Sequence, residues 1–173
     1  MVVTEHEAST FIQGYTQLML HIYGPLPTKP KMKLIAILAA ARAKYVADRS
    51  LLDAALLELE AKSGSVAPEV ISAVQSLEVK KWIYLKDTSA YSVFIDPSAK
   101  LAYGVLGLTQ KIRSVLGGSG AVVETGLMRY AGRYVTDGIV SNVVWLGQNY
   151  RRSFTNELAS LRAQGAFHKS YEP

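Results

Sequence analysis

The chain has 173 residues, 49% of them apolar and 19% charged, a globular balance that excludes native disorder. It has no cysteine, which excludes disulfides, thiolate zinc sites and cysteine nucleophiles, and its three histidines, His6, His21 and His168, are far apart in sequence, none with a second at metal-ligand spacing. The net charge of +5 is uneven: residues 1–78 carry seven Lys/Arg against eight Asp/Glu, and residues 79–173 carry twelve against six. An anionic partner therefore belongs with the second half.

Thr4-Glu-His-Glu7 fits the T-x-x-E capping box and opens a helix whose buried stripe is Phe11, Tyr15, Leu18 and Ile22. His21, near the end of that helix, is placed to meet its last carbonyls. Gly24-Pro-Leu-Pro-Thr-Lys-Pro30 stops the helix and predicts a stiff, extended connection. A second helix is expected from about Met32 to Ala47, burying Leu34, Ile35, Leu38, Ala41, Tyr45 and Val46. Its longest apolar run, Leu34 to Ala41, is far short of the roughly 20 residues that cross a bilayer. The N-terminus has no signal-peptide pattern, so a soluble, cytoplasmic protein is expected.

Ser50-Leu-Leu-Asp53 is a second capping-box pattern, which predicts a break or bend near Asp48. Leu52, Leu56 and Leu59 continue the apolar stripe to Lys62, where Ser63-Gly64 ends it. Pro68 opens a short helix with Val70, Ile71, Val74 and Leu77 inward. As the recognition helix of a winged-helix reader it would lack arginine and lysine, and phosphate contacts dominate the affinity of such readers.

From Val79 the apolar period changes to two. Val79, Ile83 and Leu85 take one face of a strand, and Trp82 and Tyr84 the other. Asp87-Thr-Ser-Ala90 and Asp96-Pro-Ser-Ala99 are turns, so 79–106 reads as a three-stranded meander. A short helix is expected over Thr109 to Leu116, with Thr109 as its cap. Gly117-Gly-Ser-Gly120 follows a helix and precedes a strand, the reverse of a phosphate-cradling loop, so it is a connection.

Val122 to Val140 reads as a hairpin reversing at Tyr130-Ala131-Gly132. Ser141-Asn142 is read as a turn and Val143 to Leu146 as a last strand. Asn149 then caps a helix with Tyr150, Phe154, Leu158 and Leu161 inward, ended by Gly165. Phe167 to Pro173 reads as a tail that orders only by docking.

Glu124 and Asp137 are the best carboxylate pair, because a plain hairpin places 124 nearly opposite 137 or 138. Such a pair suits acid–base chemistry, although Asp137-Gly138 also has the composition of a bulge or turn. Arg129 and Arg133 flank the hairpin turn, and Arg151 and Arg152 start the closing helix. With Tyr130 and Tyr134 they form the candidate binding set. Strand aromatics beside cations are how single-stranded nucleic acid is stacked and held. There is no G-x-S-x-G, H-E-x-x-H or nucleotide fingerprint.

Tyr103-Gly-Val-Leu-Gly-Leu108 followed by Glu124-Thr-Gly-Leu-Met-Arg-Tyr-Ala-Gly-Arg-Tyr-Val-Thr-Asp-Gly-Ile139 resembles a pattern in a family of uncharacterised bacterial proteins. There a YxVLGL strand precedes a hairpin of the form G-K/R-hydrophobic-x-x-DG. The likeness spans about residues 79–165. Where that pattern has Pro-Phe-Lys before the turn glycine, this chain has Arg129-Tyr-Ala131. The resemblance implies an α+β fold with Asp137-Gly138 at a demanding position, and it brings no activity and no site residues.

The expected organisation is therefore α+β. Helical residues 1–78 form a layer on a mostly antiparallel, twisted sheet or partial barrel, residues 79–165, closed by a C-terminal helix, with a tail at 166–173. The expected function is a non-catalytic binding or assembly module acting through the basic, aromatic β region on a protein partner or a second copy, with no cofactor or metal. An RNA or single-stranded nucleic-acid binder is the second reading, and an enzyme using Glu124 and Asp137 the third.

Overall fold

The structure, a computed structural model, describes residues 1–25 and 33–171. Most of the connection expected at Gly24–Pro30, the helix start at Met32 and the last two residues of the tail lie outside the described residues. The chain is α+β and forms two compact units: Ser9–Gln75, and Met1–Ala8 together with Ser76–Pro173.

The first unit is helical, with α1 (Glu5–Tyr23, which begins in the other unit), α2 (Leu34–Ala47), α3 (Leu51–Ala61) and α4 (Pro68–Gln75). The first capping box forms as expected: the Thr4 N–H donates to Glu7 Oε2 at 2.8 Å and the Glu7 N–H to Thr4 Oγ1 at 3.3 Å. Phe11, Tyr15, Leu18 and Ile22 are all buried. His21 Nδ1 lies 3.3 Å from Glu58 Oε2 on α3, so a carboxylate, not the helix carbonyls, is its partner.

On α2 the buried residues are Ile37, Leu38, Ala41, Arg42 and Tyr45, and Leu34, Ile35 and Val46 are exposed, contrary to expectation. The helix starts apolar all round, so periodicity there does not select a face. The second capping box does not form. Ser50 donates instead through its N–H and Oγ to Asp48 Oδ1, at 3.0 and 2.6 Å, and the chain breaks at Asp48. Ser63 takes the left-handed conformation that ends α3.

The second unit holds β1 (Glu78–Asp87), β2 (Ser92–Ile95), β3 (Ala102–Leu106), α5 (Ile112–Leu116), β4 (Ala121–Tyr130), β5 (Arg133–Trp145), α6 (Gln148–Ala163) and β6 (Phe167–His168). The expected meander is present: β2 pairs antiparallel with both β1 and β3. β4 returns to lie beside β1, the Greek-key arrangement. β5 pairs antiparallel with β4 and parallel with β3 through Val105↔Tyr134 and Leu106↔Val135. These pairings close five strands into a barrel in the order β1-β2-β3-β5-β4, and β6 adds to β3 beside β5.

Alternation along β1 now has two destinations. Trp82 and Tyr84 join Phe94, Val105, Ala121, Val123, Leu127, Tyr134 and Val140, a cluster drawn from all five strands and therefore the barrel interior. Ile112 and Leu116 of α5 pack against the same cluster. Ile83 and Leu85 join Val93, Ile95, Ala102 and, from α6, Leu158 and Leu161 on the outer surface. The helix α6 thus covers the outside of β1, β2 and β3.

The reversal is a two-residue turn, Ala131-Gly132, with φ of +51° and +73°. Positive φ at both positions is the type I′ geometry that matches strand twist. Ser141-Asn142 is not a turn. β5 runs on through it with a bulge at Asn142 (φ +50°), and a second irregularity lies at Asp137-Gly138. The extra residues at Asp137-Gly138, between the turn and this pair, place Glu124 opposite Ser141 and leave Asp137 across from Gly126, so the expected pairing of 124 with 137 or 138 is not made.

Three smaller expectations also change. Lys111, not Thr109, precedes α5; Gly147, not Asn149, precedes α6; and Tyr150 is exposed, not part of the α6 stripe. Gly165, at φ +73°, ends α6 as expected. The tail docks: Phe167 and His168 pair with Ala102 and Tyr103, and the Tyr171 N–H donates to the Gly132 carbonyl at 3.3 Å.

Candidate binding site at the barrel mouth

The β period brings particular side chains to one end of the barrel. On β1 the inward positions run Tyr84, Trp82, Lys80 away from the Tyr84–Asp87 end, and on β3 Tyr103 follows Val105 in the same direction. On β4 and β5, Arg129 stands directly opposite Tyr134 and shares its face. Trp82 forms the floor, its Nε1–H donating to the Thr125 carbonyl at 3.1 Å.

Above it the rings form a chain. Trp82 meets Tyr103 edge-on at 5.8 Å, Tyr103 meets Tyr134 at 4.8 Å, and Tyr134 meets Tyr171 at 6.1 Å. The His168 ring lies 5.9 Å from Tyr103. Tyr103, Tyr134, His168 and Tyr171 are each partly exposed. The Tyr103 and Tyr134 hydroxyls hydrogen-bond to no other described residue.

Cations flank both ends of this chain of rings. The Arg129 guanidinium lies 5.7 Å from the Tyr171 ring, and Lys80 Nζ lies 5.1 Å from Trp82. Lys80 also contacts Glu78 at 2.7 Å and Asp96 at 3.3 Å. The Glu78 hydrogen bond holds the Lys80 ammonium above its ordinary pKa, so it stays charged. Burial raises the Tyr103 phenol, and Glu78, Tyr134 and Asp96 raise it further, so it stays a neutral donor and acceptor at neutral pH. Burial pushes the Asp96 carboxyl up, but hydrogen bonds from Ser98 and Lys80 outweigh it and hold it below its ordinary value.

No protein-family model matches the chain, and no curated protein or solved structure is detectably similar to it.

Of the six residues predicted for binding, two belong to this mouth: Arg129 and Tyr134. Adjacent strand residues face opposite sides, so Tyr130 and Arg133 share the other face. Tyr130 is buried and its hydroxyl donates to the Glu7 carbonyl at 2.9 Å, which leaves no ring face for stacking. Arg133 is exposed on that face and adds to the pull that holds the Glu7 carboxyl low.

Arg151 and Arg152 are exposed beyond the opposite end of the hairpin, where Ala121 pairs with Trp145. Tyr130↔Arg133 lies nine residue steps along β4 from that pair, a span of roughly 30 Å at the ordinary strand rise. Arg151 Nε is already committed, donating to the Leu146 carbonyl at 3.0 Å.

The carboxylates are engaged separately. Glu124 accepts from Asn142 Nδ2 at 2.8 Å and Ser141 Oγ at 3.3 Å, with Lys81 opposite it on β1. Asp137 is buried and accepts the backbone N–H groups of Ile139 at 3.0 Å and Gly126 at 3.3 Å, a role in shaping the bulge. Among the described residues, no three His, Asp or Glu side chains are placed to hold a metal ion.

Lys80, Tyr103, His168 and Tyr171 were not singled out from the sequence as site residues. Tyr103 was readable as a strand aromatic, but its ring neighbours arise from the parallel β3–β5 pairing, which no local pattern announces. Tyr171 carries no periodic signal.

Proposed function

We propose that the barrel unit is a non-catalytic binding module, acting in the cytoplasm, that holds its partner at this aromatic, cation-flanked mouth. The observation that carries the reading is the Tyr103–Tyr134 pair: partly exposed, 4.8 Å apart, with free hydroxyls and Arg129 directly across from Tyr134. Tyrosine offers broad contact area at low entropic cost together with a polar tip, which is why it is enriched where proteins bind other molecules.

The rest of the unit supports the same location. Five-stranded Greek-key barrels of the oligonucleotide- and oligosaccharide-binding kind use the outer face of strands 2 and 3. Here Leu158 and Leu161 of α6 occupy that surface, and the interior is filled with side chains. The partner is a protein or, as a second reading, single-stranded nucleic acid, favoured by cations next to ring faces. The separate engagement of Glu124 and Asp137 weighs against the acid–base alternative.

The test is capture from an extract of the source cell at low salt by the wild-type chain and by Arg129→Ala/Tyr134→Ala. A species retained by the wild type and lost by the double variant is expected. Release with 260 nm absorbance as salt rises identifies it as nucleic acid, because phosphate binding weakens steeply with salt. Identical retention by both proteins would overturn the reading.

A further inference from the structure

The mouth is occupied by the chain's own tail. Phe167 packs on the outer cluster, with its ring 5.5 Å from Tyr91 and 4.8 Å from the Arg162 guanidinium. The Ala102 N–H donates to the Ala166 carbonyl at 2.9 Å and the Ala166 N–H to the Leu161 carbonyl at 2.8 Å, so this junction is fixed. Beyond it the tail crosses the mouth. The His168 ring lies against Tyr103, Lys169 turns to Tyr91, Ser170 pairs with Arg133, and the Tyr171 ring contacts both Tyr134 and Arg129. The Tyr171 hydroxyl accepts the Gly132 N–H at 3.3 Å, and the Tyr171 N–H donates to the Gly132 carbonyl at 3.3 Å. Both are longer than an ordinary N–H···O bond. Lys169 and Ser170 are exposed, and His168 and Tyr171 partly so.

We propose that residues 168–171 are a displaceable strap, and that Tyr171 holds the place of an aromatic side chain presented by a partner protein. This rests on the mouth being the binding site. Tyr103, Tyr134 and Arg129 are the groups that make the mouth attractive, and the strap contacts all three. Strap and partner therefore compete for the same ring faces and the same cation. A short tethered segment competes at an effective concentration on the order of millimolar. A partner's apparent affinity is then reduced by the fraction of molecules in which the strap is open. Opening is local, because long bonds between exposed residues belong to the least stable part of a structure and the junction at Ala166 need not move. The strap also displays the chemistry that the site accepts: a peptide segment whose tyrosine ring meets a ring and a guanidinium while its hydroxyl takes a backbone N–H.

The test uses the full chain with N-acetyltyrosinamide as the probe, and binding is read from the Arg129 and Gly132 amide signals by NMR. Tyr171→Ala, which vacates the ring position, is expected to bind the probe about tenfold or more tighter than the wild type. Adding Arg129→Ala and Tyr134→Ala to that variant removes the binding. Equal binding to wild type and Tyr171→Ala, or binding to neither, would overturn the proposal. Tighter binding of an oligothymidylate than of the tyrosine amide by Tyr171→Ala would overturn it in favour of nucleic acid. Amide hydrogen exchange on the wild type reads the strap directly: the Tyr171 amide should exchange about a hundredfold or more faster than the Ala102 amide, which is held at the fixed junction. Equal rates would mean that the strap opens only with the barrel, and would overturn the proposal as well. Failure of the mouth as the binding site looks different: wild type and Arg129→Ala/Tyr134→Ala then capture alike, while the probe still binds Tyr171→Ala.

Discussion

At Gly126 a Cβ would lie 2.5 Å from Asp137 Oδ2 and 2.6 Å from Leu77 Cδ1. The absent side chain lets the Asp137 carboxylate approach the Gly126 amide and hold the bulge. Gly126→Ala is expected to destabilise the protein by about 1–3 kcal/mol in urea unfolding, because the buried ends of Asp137 and Leu77 must shift to admit the methyl group. A loss below about 1 kcal/mol would mean that the bulge shifts freely. Glu7 couples its helix cap to pH. Hydrogen bonds from the Thr4 N–H and then the Thr4 hydroxyl hold its carboxyl below the ordinary 4.5. A lowered folded pKa gives stability that is present above the unfolded value and lost as pH falls through the folded one. The stability gap between wild type and Glu7→Gln should therefore be open near neutral pH and close as pH drops below 4.5. A gap unchanged across thermal melts in that range would contradict the capping box as the cause. Both halves of this box were legible, because its signature is local, whereas Ser50–Asp53 has the same letters and makes a different turn around Asp48.

Among the elements, the β4–β5 hairpin shows most plainly what a sequence carries. Its turn position followed from Gly132 between two β-rich runs, and Asp137-Gly138 announced a bulge by composition. The register did not follow, because each bulge adds residues to one strand, and a displaced register changes every cross-strand partner beyond it. That is why Glu124 meets Ser141 and the expected carboxylate pair dissolves. The same alternation divided the candidate set, sending Arg129 and Tyr134 to the mouth and Tyr130 to a buried bond with Glu7. Ala131 sits at φ +51° in a turn that favours Asn-Gly. Ala131→Asn should stabilise the protein by about 0.5–1 kcal/mol, read as a higher urea midpoint, since Asn tolerates left-handed backbone better than Ala. No gain would indicate that the turn is held by its surroundings, including the Tyr171 contacts with Gly132.

For the whole molecule, the α+β class and the change from helical to strand period at residue 79 were both readable. Closure was not: it depends on a parallel pairing between strands about 30 residues apart, Val105 with Tyr134, and on a tail that adds β6. Ring closure is what gathers Lys80, Tyr103, Arg129, Tyr134 and Tyr171 from distant parts of the chain, so the mouth exists only at this scale. No helix among the described residues is long and apolar enough to cross a membrane. The basic excess of the second half is also divided by the fold, with Arg129 at the mouth and Arg151 and Arg152 at the other end of the hairpin. The most direct test of the account is the capture experiment carried out in parallel on Arg129→Ala/Tyr134→Ala and on Arg151→Ala/Arg152→Ala, both checked for folding. The first variant should lose the wild-type partner and the second keep it; loss by the second with retention by the first would contradict binding at the mouth.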